Sequence, residues 1–314
     1  MNRFTEGSID IHQHLWPRSL IDALRERRTP PRLRGWSLEQ VTEAMHHADP
    51  CDHDIDSRAA QARADGLDLA LISLSGALGI EMLPPAESAE LIDAYHEGVS
   101  DLPAPFGAWA AASLTRIDPY ALERRLDEGF VGLQLPARAL LDHAGYLRAA
   151  PLLEVLERRG APLFVHPGSA ASTIGAPAWW PWVVDYAAQM HAAWFALRAH
   201  GRAHHPGLRV AFAMLAGLAP LHGERFAARA GERTVVDELA FLEVSSYGTR
   251  AIDASVRVLG IDVIVHGSDR PYAAPLRPEL GNAAVQALRR ANPLRLLQRK
   301  ELSNVDAAAA AAQP

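Results

Sequence analysis

The feature of this sequence that most limits its fold is a regular alternation of short apolar segments with amphipathic segments. Amphipathic stretches at 86–99, 120–127, 146–159 and 252–259 show helical periodicity. Eight apolar segments have the length of strands, at residues 8–11, 67–74, 106–113, 131–135, 162–165, 208–214, 241–245 and 262–265. Short buried strands that alternate with helices are typical of parallel βαβ units. The alternation therefore predicts an α/β fold with a parallel sheet.

Eight strand–helix units in a chain of 314 residues predict a closed (β/α)₈ barrel, the TIM-barrel fold. An open, doubly wound sheet is the alternative. However, no G-x-G-x-x-G sequence follows any of the strands, so the main signature of a dinucleotide-binding fold is absent. We expect residues 1–302 to form one barrel domain and the alanine-rich tail 303–314 to be disordered.

Two connections are longer than ordinary loops. Residues 17–66 follow the first strand and contain helix-like pieces near 18–27 and 37–47, which predicts a helical, lid-like insertion. Residues 168–207 form a tryptophan-rich insertion between the fifth and sixth strands. Both insertions would leave from the C-terminal ends of strands, the face on which barrel enzymes carry out their chemistry. Roles as a lid, a pocket wall or a subunit contact all stay open.

Composition and charge exclude several classes of protein. The 31 basic and 37 acidic side chains give a net charge of -6, which argues against nucleic-acid binding. The single cysteine, Cys51, excludes an internal disulfide framework and a multi-thiolate zinc site. No apolar run is long enough for a membrane span, and no secretory signal is visible. We expect a cytoplasmic protein with a small-molecule substrate, and a homodimer is a candidate assembly.

Polar residues at the ends of the predicted strands point to a metal site. His12 and His14 lie two residues apart at the end of the first strand, so they point to the same side. Neighbouring imidazoles are suitable ligands for zinc and similar ions. Asp10 has the same parity and lies one layer deeper, where it could orient a ligand imidazole.

Two further polar residues end strands on the same face of the predicted barrel. His166 ends the fifth strand and Asp269 follows the eighth. Such residues are costly at the tips of apolar strands unless they are paired or bind a metal. The eighth strand lies beside the first, and the fifth lies across the mouth. The hypothesis is therefore that His12, His14, His166 and Asp269 converge on one ion. The alternative is that these four residues end their strands separately and bind no metal.

These segments resemble the amidohydrolase superfamily, in particular the amidohydrolase-related branch that includes aminocarboxymuconate-semialdehyde decarboxylase. The resemblance extends over about residues 8–298, and the matching segments are IDIHQHLWP (9–17), PLFVHPG (162–168), RVAFAMLAGLAP (209–220), LEVSSYG (242–248) and VHGSDRPY (265–272). It implies one divalent metal ion, usually Zn²⁺, with Mn²⁺ or Fe²⁺ as alternatives. The implied ligands are His12, His14, His166 and Asp269.

One position departs from the family pattern. The resemblance places a histidine at the end of the sixth strand, where this chain has Met214, whose thioether carries no titrating proton. One explanation is that Asp269 alone deprotonates a metal-bound water, as the resemblance implies for hydrolysis. A second is that His222 replaces the missing histidine from the first helical turn after Pro220. An ordinary surface histidine is the equal alternative. A third explanation is that the protein binds its ligand without turnover.

The sequence thus predicts a metal-dependent hydrolase acting on an amide, lactone or similar bond, with Asp269 and His222 as catalytic residues. Hydrolysis needs only an activated water and a carboxylate, whereas protonation of a carbon requires a separate acid. Non-oxidative decarboxylation of a small unsaturated or aromatic acid is the second hypothesis. Trp16, Met214 and Arg270 are predicted to bind the substrate. Arg270 would hold an anionic group, unless it forms an ion pair with a neighbouring loop.

Overall fold

Eight parallel strands form the centre of the molecule in a computed structural model that describes residues 7–170, 174–232, 235–274 and 279–298. The tail expected at 303–314 lies outside these residues. Each predicted strand segment overlaps one of the observed strands, which confirms the predicted fold class. The strands are Ile9–His14, Leu69–Ser73, Phe106–Ala108, Leu133–Pro136, Leu163–His166, Val210–Phe212, Ala240–Glu243 and Ile264–Val265.

The strands follow one another in chain order around a closed barrel. The first three pair in one parallel sheet and the last five pair in a second. A bridge between Ala110 and Leu133 joins the third and fourth strands. At the other junction, the Ile11 N–H donates to the carbonyl of His266 at 3.0 Å. The eighth strand therefore lies beside the first, as the barrel prediction requires.

Large apolar side chains fill the barrel below its mouth. The rings of Trp109 and Phe164 stack with centroids 5.3 Å apart, and both side chains are fully buried. The indole N–H of Trp109 donates to the carbonyl of Ile11 at 2.8 Å, so the polar atom of this buried ring has a partner. Burial of each large apolar side chain contributes roughly 1.5–3 kcal/mol to folding. This packing closes the barrel from below and leaves the C-terminal ends of the strands as its open face.

Helices follow the strands and cover the outside of the barrel. All four predicted helices are confirmed, with starts one to three residues earlier than the periodicity indicates. Asp118 and Asp142 cap two of them, because their carboxylates accept from backbone N–H groups of the first turn. The helices after the second to seventh strands are Pro85–Ser100, Pro119–Asp127, His143–Arg159, Tyr186–Ala196, Gly223–Ala230 and Thr249–Leu259. No helix in the described ranges is long and apolar enough to cross a membrane.

The insertion after the first strand is only partly helical. It contains the helices Arg18–Glu26 and Ile55–Ala64, with a small antiparallel sheet between them. The helix predicted at 37–47 is wrong, because this segment forms the strands Ser37–Glu39 and His46–His47. The preceding strand is Arg32–Arg34, and Gly35 has a positive φ of 61° in the turn that follows it. Leu33 and Leu38 face each other across this hairpin, and both are buried.

The tryptophan-rich insertion contains the helix that follows the fifth strand. The helix Tyr186–Ala196 is flanked by two wider helical turns, Pro181–Asp185 and Leu197–Gly201. The rings of Trp194 and Phe212 lie 5.3 Å apart, which packs this helix against the sixth strand. Trp179 and Trp182 are half-exposed.

Candidate metal centre

Four polar side chains lie together at the mouth of the barrel. His12 and His14 are near the end of the first strand, and His166 is the last residue of the fifth. Asp269 follows the eighth strand in a left-handed conformation with φ of 58°, which aspartate tolerates better than most residues. Its backbone N–H donates to the carbonyl of His12 at 2.8 Å, and this hydrogen bond holds the loop against the first strand.

The structure brings the four predicted ligands to one point. One ligand atom of each residue lies within 4.8 Å of the others. The ring centroid of His12 is 4.9 Å from that of His14 and 4.9 Å from that of His166. Oδ1 of Asp269 lies 3.4 Å from Nε2 of His12 and 3.3 Å from Nε2 of His14. These distances are compatible with a shared ion at metal–ligand bonds of about 2 Å.

Hydrogen bonds on the far side of each ring fix the tautomers. Nδ1 of His12 lies 3.0 Å from Oε2 of Glu243, and Nδ1 of His14 lies 3.0 Å from the carbonyl of Ser73. Nδ1 of His166 lies 2.8 Å from the carbonyl of Pro167. Since carboxylate and carbonyl oxygens only accept, each Nδ1 must carry the proton and donate it. The three Nε2 atoms then present lone pairs to the mouth, as metal-binding histidines do.

This arrangement of lone pairs favours a cation. Nε2 of His12 and Nε2 of His14 are only 3.1 Å apart, although both protons are on the other nitrogen of each ring. Burial lowers the pKa of His14 and of His166 below the ordinary imidazole value, so these rings are neutral. A positive ion between the nitrogens would relieve the repulsion of their lone pairs. Three imidazole nitrogens and one carboxylate oxygen are a suitable donor set for a divalent transition metal.

The charges of the site also keep Asp269 ionised. Burial alone would raise the pKa of Asp269, but the neighbouring His12 and His14 lower it overall. Burial acts to lower the pKa of His12, but the Asp269 and Glu243 carboxylates outweigh this effect and raise it. The Asp269 side chain is 20% exposed, whereas those of His12 and His14 are almost completely buried. Asp269 is therefore the ligand with the greatest access to the mouth.

Comparison with solved structures identifies the fold. IDCase of Metarhizium anisopliae is 17% identical, with a TM-score of 0.74 over 93% of this chain and 97% of that one. A variant of 5-carboxyvanillate decarboxylase from Novosphingobium aromaticivorans is 16% identical, with a TM-score of 0.72 over 93% and 97%. A protein designated amidohydrolase II is 17% identical, with a TM-score of 0.68 over 92% and 99%. The chain has the fold of these proteins.

The shared fold agrees with the resemblance seen in the sequence motifs. No protein-family model matches the sequence, and no curated protein matches it either. The Novosphingobium decarboxylase structure contains bound manganese and 3-methoxy-4-hydroxy-5-nitrobenzoic acid. Structures with this fold thus include a decarboxylase with a bound divalent metal and a benzoic acid.

Sequence reasoning missed Glu243, the residue that holds His12. Glu243 ends the seventh strand and is completely buried. Besides the contact with His12, its Oε2 accepts from the hydroxyl of Ser245 at 2.7 Å and from the N–H of Met214 at 3.3 Å. Glu243 is a polar residue that ends an apolar strand, and the same feature identified His166 in the sequence, so this signal could have found Glu243 as well. Asp10 is not the Nδ1 partner of a candidate ligand ring, because those partners are the groups described above. It accepts instead from the backbone N–H groups of His12 and Ser268 and from the Gln13 side chain.

Trp16 forms part of the wall behind the site. Its side chain is only 2% exposed and stacks on the ring of His53 at 4.3 Å. Its indole N–H donates to the Ser75 hydroxyl at 3.0 Å, and this hydroxyl lies 3.4 Å from that of Tyr272. The only polar atom of the Trp16 side chain is thus paired with Ser75, and contact of this ring with the substrate stays a prediction. Tyr272 is the more accessible ring, 5.4 Å from that of His14, although sequence reasoning did not select it.

The guanidinium of Arg270 is engaged by a carboxylate. It lies 2.7 Å from the Asp65 carboxylate, at the end of the helix Ile55–Ala64. The ion pair with a neighbouring segment, which was the alternative role for Arg270, is thus present in the structure. An anionic substrate would have to compete with Asp65 for this side chain.

Met214 and His222 lie in the connection after the sixth strand. Met214 begins a run of five residues with positive φ, from 214 to 218, of which only Gly217 is a glycine. A left-handed backbone costs roughly 1–2 kcal/mol for each of the other residues. His222 is exposed at the end of this connection, and its ring lies 4.9 Å from that of His191. It is not among the four side chains that the structure brings together.

Proposed function

We propose that this protein is a metal-dependent decarboxylase of a small aromatic or unsaturated acid, with an amidohydrolase-type barrel as a single domain over residues 1–302. One observation carries the proposal. The Nε2 atoms of His12, His14 and His166 and the carboxylate of Asp269 converge at the barrel mouth in a tautomeric state ready for a cation. The shared fold with decarboxylases supports the choice of reaction.

The surroundings of the cluster suit an aromatic acid better than a peptide-like substrate. The ring of Tyr272 lies 5.4 Å from that of His14 and is partly exposed, so an aromatic ring borders the cluster on its open side. A divalent ion held by the four residues would supply the positive charge that attracts and polarises a substrate carboxylate. Similar structures contain a nitrobenzoic acid and 2,6-dihydroxybenzoate. Zn²⁺ and Mn²⁺ both suit the donor set, and Fe²⁺ is a further candidate.

Asp269 is the residue we assign to proton transfer. Its carboxylate is the most accessible of the four candidate ligand groups. Each imidazole, in contrast, donates its Nδ1 proton in a hydrogen bond to Glu243, Ser73 or Pro167. It would accept a proton from solvent and deliver it to the carbon that loses the carboxylate. The broken carbon–carbon bond leaves its electron pair on that carbon, and carbon dioxide departs. The reaction consumes one proton and requires neither oxygen nor nicotinamide.

Hydrolysis remains the second candidate because of Met214. This residue contributes a backbone hydrogen bond to Glu243 and no titrating side chain, so Asp269 would act alone in either reaction. We propose that the Met214 side chain forms an apolar part of the pocket. His222 has no role in the proposed chemistry.

Metal-loaded protein tests the proposal directly. A panel of aromatic and unsaturated acids is incubated without oxygen or nicotinamide, and carbon dioxide and the shortened product are measured. A parallel panel of esters, lactones and amides tests hydrolysis. We expect carbon dioxide release that Asp269→Asn abolishes and Tyr120→Phe, at an exposed surface tyrosine, leaves unchanged. Turnover confined to the second panel would establish hydrolysis instead. No turnover in either panel, even after Met214→His, would indicate a binding protein.

A further inference from the structure

Residues 40–46, which we call the strap, connect the last two small strands of the first insertion. At one point the strap is attached to the segments that follow the fifth barrel strand. Oε1 of Glu43 accepts from the Ala170 N–H at 2.8 Å and from the Tyr186 hydroxyl at 2.7 Å. Ala170 lies four residues after the end of the fifth strand, and Tyr186 begins the helix that follows this strand. One carboxylate oxygen therefore holds the strap on this side of the barrel mouth.

The end of the strap contacts another side of the mouth. The ring of His46 lies 5.9 Å from that of Tyr272, which in turn lies 5.4 Å from that of His14. Tyr272 follows the eighth strand, and two other strands separate the eighth strand from the fifth. The strap therefore bridges the mouth from the segment after His166 to the segment after Asp269.

The candidate metal site has little access to solvent. The side chains of His12 and His14 are 1% exposed, and that of Asp269 is 20% exposed. Direct contact between a substrate and an ion bound here requires more access than this, so a covering segment has to move. The strap is such a segment, because it lies across the mouth and is attached on two sides.

The closed position of the strap has a cost in free energy. Among the described residues, Oε1 of Gln40 and Oγ1 of Thr42 are buried and have no hydrogen-bond partner. Buried polar atoms without a partner destabilise the conformation that buries them, and opening of the strap would expose both oxygens to water. Val41 and Met45 are 49% and 69% exposed, so these apolar side chains contribute little to holding the strap in place.

Glu43 is itself under tension between burial and hydrogen bonding. Burial raises the pKa of Glu43 and the Asp185 carboxylate adds to this effect, whereas the hydrogen bonds from Ala170 and Tyr186 lower the pKa. Because the pKa is raised overall, the charged carboxylate is less stable in the closed strap than in water. The two hydrogen bonds therefore hold the strap closed against a tendency to open, and they break together because one oxygen accepts both.

We propose that the strap is a lid that opens to admit the substrate and closes over the metal site, and that Glu43 is the latch that holds it closed. The inference goes beyond the proposed reaction, because passage through the mouth is needed equally for decarboxylation, for hydrolysis and for exchange of the metal ion. Loss of the latch is expected to speed this passage without unfolding the barrel and without changing the affinity of the site for the ion.

Amide hydrogen exchange in the full-length protein reports on the latch, because the Ala170 N–H donates to Glu43. The Gly168 N–H donates to Oε1 of Gln189 at 3.0 Å and is a nearby reference outside the latch. We expect Glu43→Ala to increase exchange at Ala170 by about ten-fold or more and to leave exchange at Gly168 unchanged. Glu97→Ala, at an exposed glutamate on the helix after the second strand, is the matched control and should change neither rate.

Removal of the metal ion by a chelator tests passage through the mouth. We expect the metal-loaded Glu43→Ala protein to lose its ion several-fold faster than the wild type. Its equilibrium metal affinity and the Tm of the metal-free protein should stay unchanged, because the ion also enters faster. Tyr186→Phe keeps the hydrogen bond from Ala170 and should give a smaller increase in rate.

The outcomes separate a movable lid from a structural contact. Wild-type exchange at Ala170 in Glu43→Ala, or removal of the ion at the wild-type rate, would overturn the proposal. A lower Tm together with faster exchange at Gly168 would also overturn it, because Glu43 would then support the fold and not a movable segment. Protein that binds no ion would refute the proposed function, and exchange at Ala170 would still decide whether the strap opens.

Discussion

Replacement of Glu243 by alanine is expected to weaken metal binding without removing any ligand. Oε2 of Glu243 accepts the Nδ1 proton of His12 at 3.0 Å, and the Ser245 hydroxyl holds the carboxylate in place at 2.7 Å. In Glu243→Ala the Nδ1 proton of His12 loses its acceptor, so the ring can rotate or adopt the other tautomer. The Nε2 lone pair is then no longer held in the orientation that binds the ion. Removal of such an orienting partner typically costs 10- to 100-fold in metal affinity, about 1.4–2.8 kcal/mol.

The carboxylate also stabilises the fold, so the two effects must be separated. Glu243 is completely buried and accepts from Ser245 and Met214 as well as from His12. Each buried donor left without a partner costs roughly 1–3 kcal/mol. Glu243→Gln retains an acceptor oxygen and nearly the same volume, so we expect an affinity loss near ten-fold and a smaller loss of stability.

Competition with a fluorescent chelator measures the affinity, and thermal unfolding of the metal-free proteins measures the stability. Glu238→Gln is the matched control, since Glu238 is exposed and lies two residues before the seventh strand. Folded Glu243→Ala protein that binds the ion as tightly as the wild type would refute the assignment of Glu243 as the partner of His12.

Three further predictions concern the ion, the backbone and pH. A divalent ion at 100 times its dissociation constant should add about 2.7 kcal/mol to the free energy of unfolding, and His166→Ala should abolish the accompanying rise in Tm; an equal rise in this variant would contradict the site. Gly76→Ala should lower Tm and metal affinity together, because its Cβ would overlap the Pro167 carbonyl and lie 2.8 Å from Nδ1 of His166; an unchanged metal affinity would contradict this prediction. Burial raises the pKa of Glu81 from 4.5 to about 7, so the stability it contributes is present below pH 4.5 and is lost as the pH rises through 7. The free energy of unfolding of Glu81→Gln, minus that of the wild type, should therefore be larger at pH 8 than at pH 4, by up to about 3 kcal/mol. Denaturant unfolding that gives the same difference at both pH values would exclude this effect.

The fold and the four candidate ligands could be predicted because they depend on local sequence patterns. Alternating apolar and amphipathic segments predict the number of strands. Because side chains two residues apart in a strand point to the same face, His12 and His14 are predicted to lie side by side. His166 and Asp269 stand out because a polar residue at the tip of an apolar strand needs a partner. Chain order around a barrel then places them together without further information.

Contacts between distant segments could not be predicted in the same way. Glu243 acquires its role from a ring 231 residues earlier in the chain, and nothing in its local sequence specifies that partner. Arg270 similarly pairs with Asp65 across 205 residues. The hairpin around Gly35 could not be predicted, because strands of three residues are too short to show a periodicity of two. Local pattern thus predicts which residues reach the mouth, but not which partners orient them.

The closed barrel has a consequence for the order of events during synthesis. Its ring is completed only where the first strand meets the segment after the eighth, through Ile11 with His266 and His12 with Asp269. A nascent chain that has left the ribosome up to the sixth strand already contains three imidazoles, but it lacks both the carboxylate and the acceptor for the His12 proton. A divalent ion would therefore find all four candidate ligands only after Asp269 has been made, and its binding would stabilise the completed ring rather than an earlier intermediate.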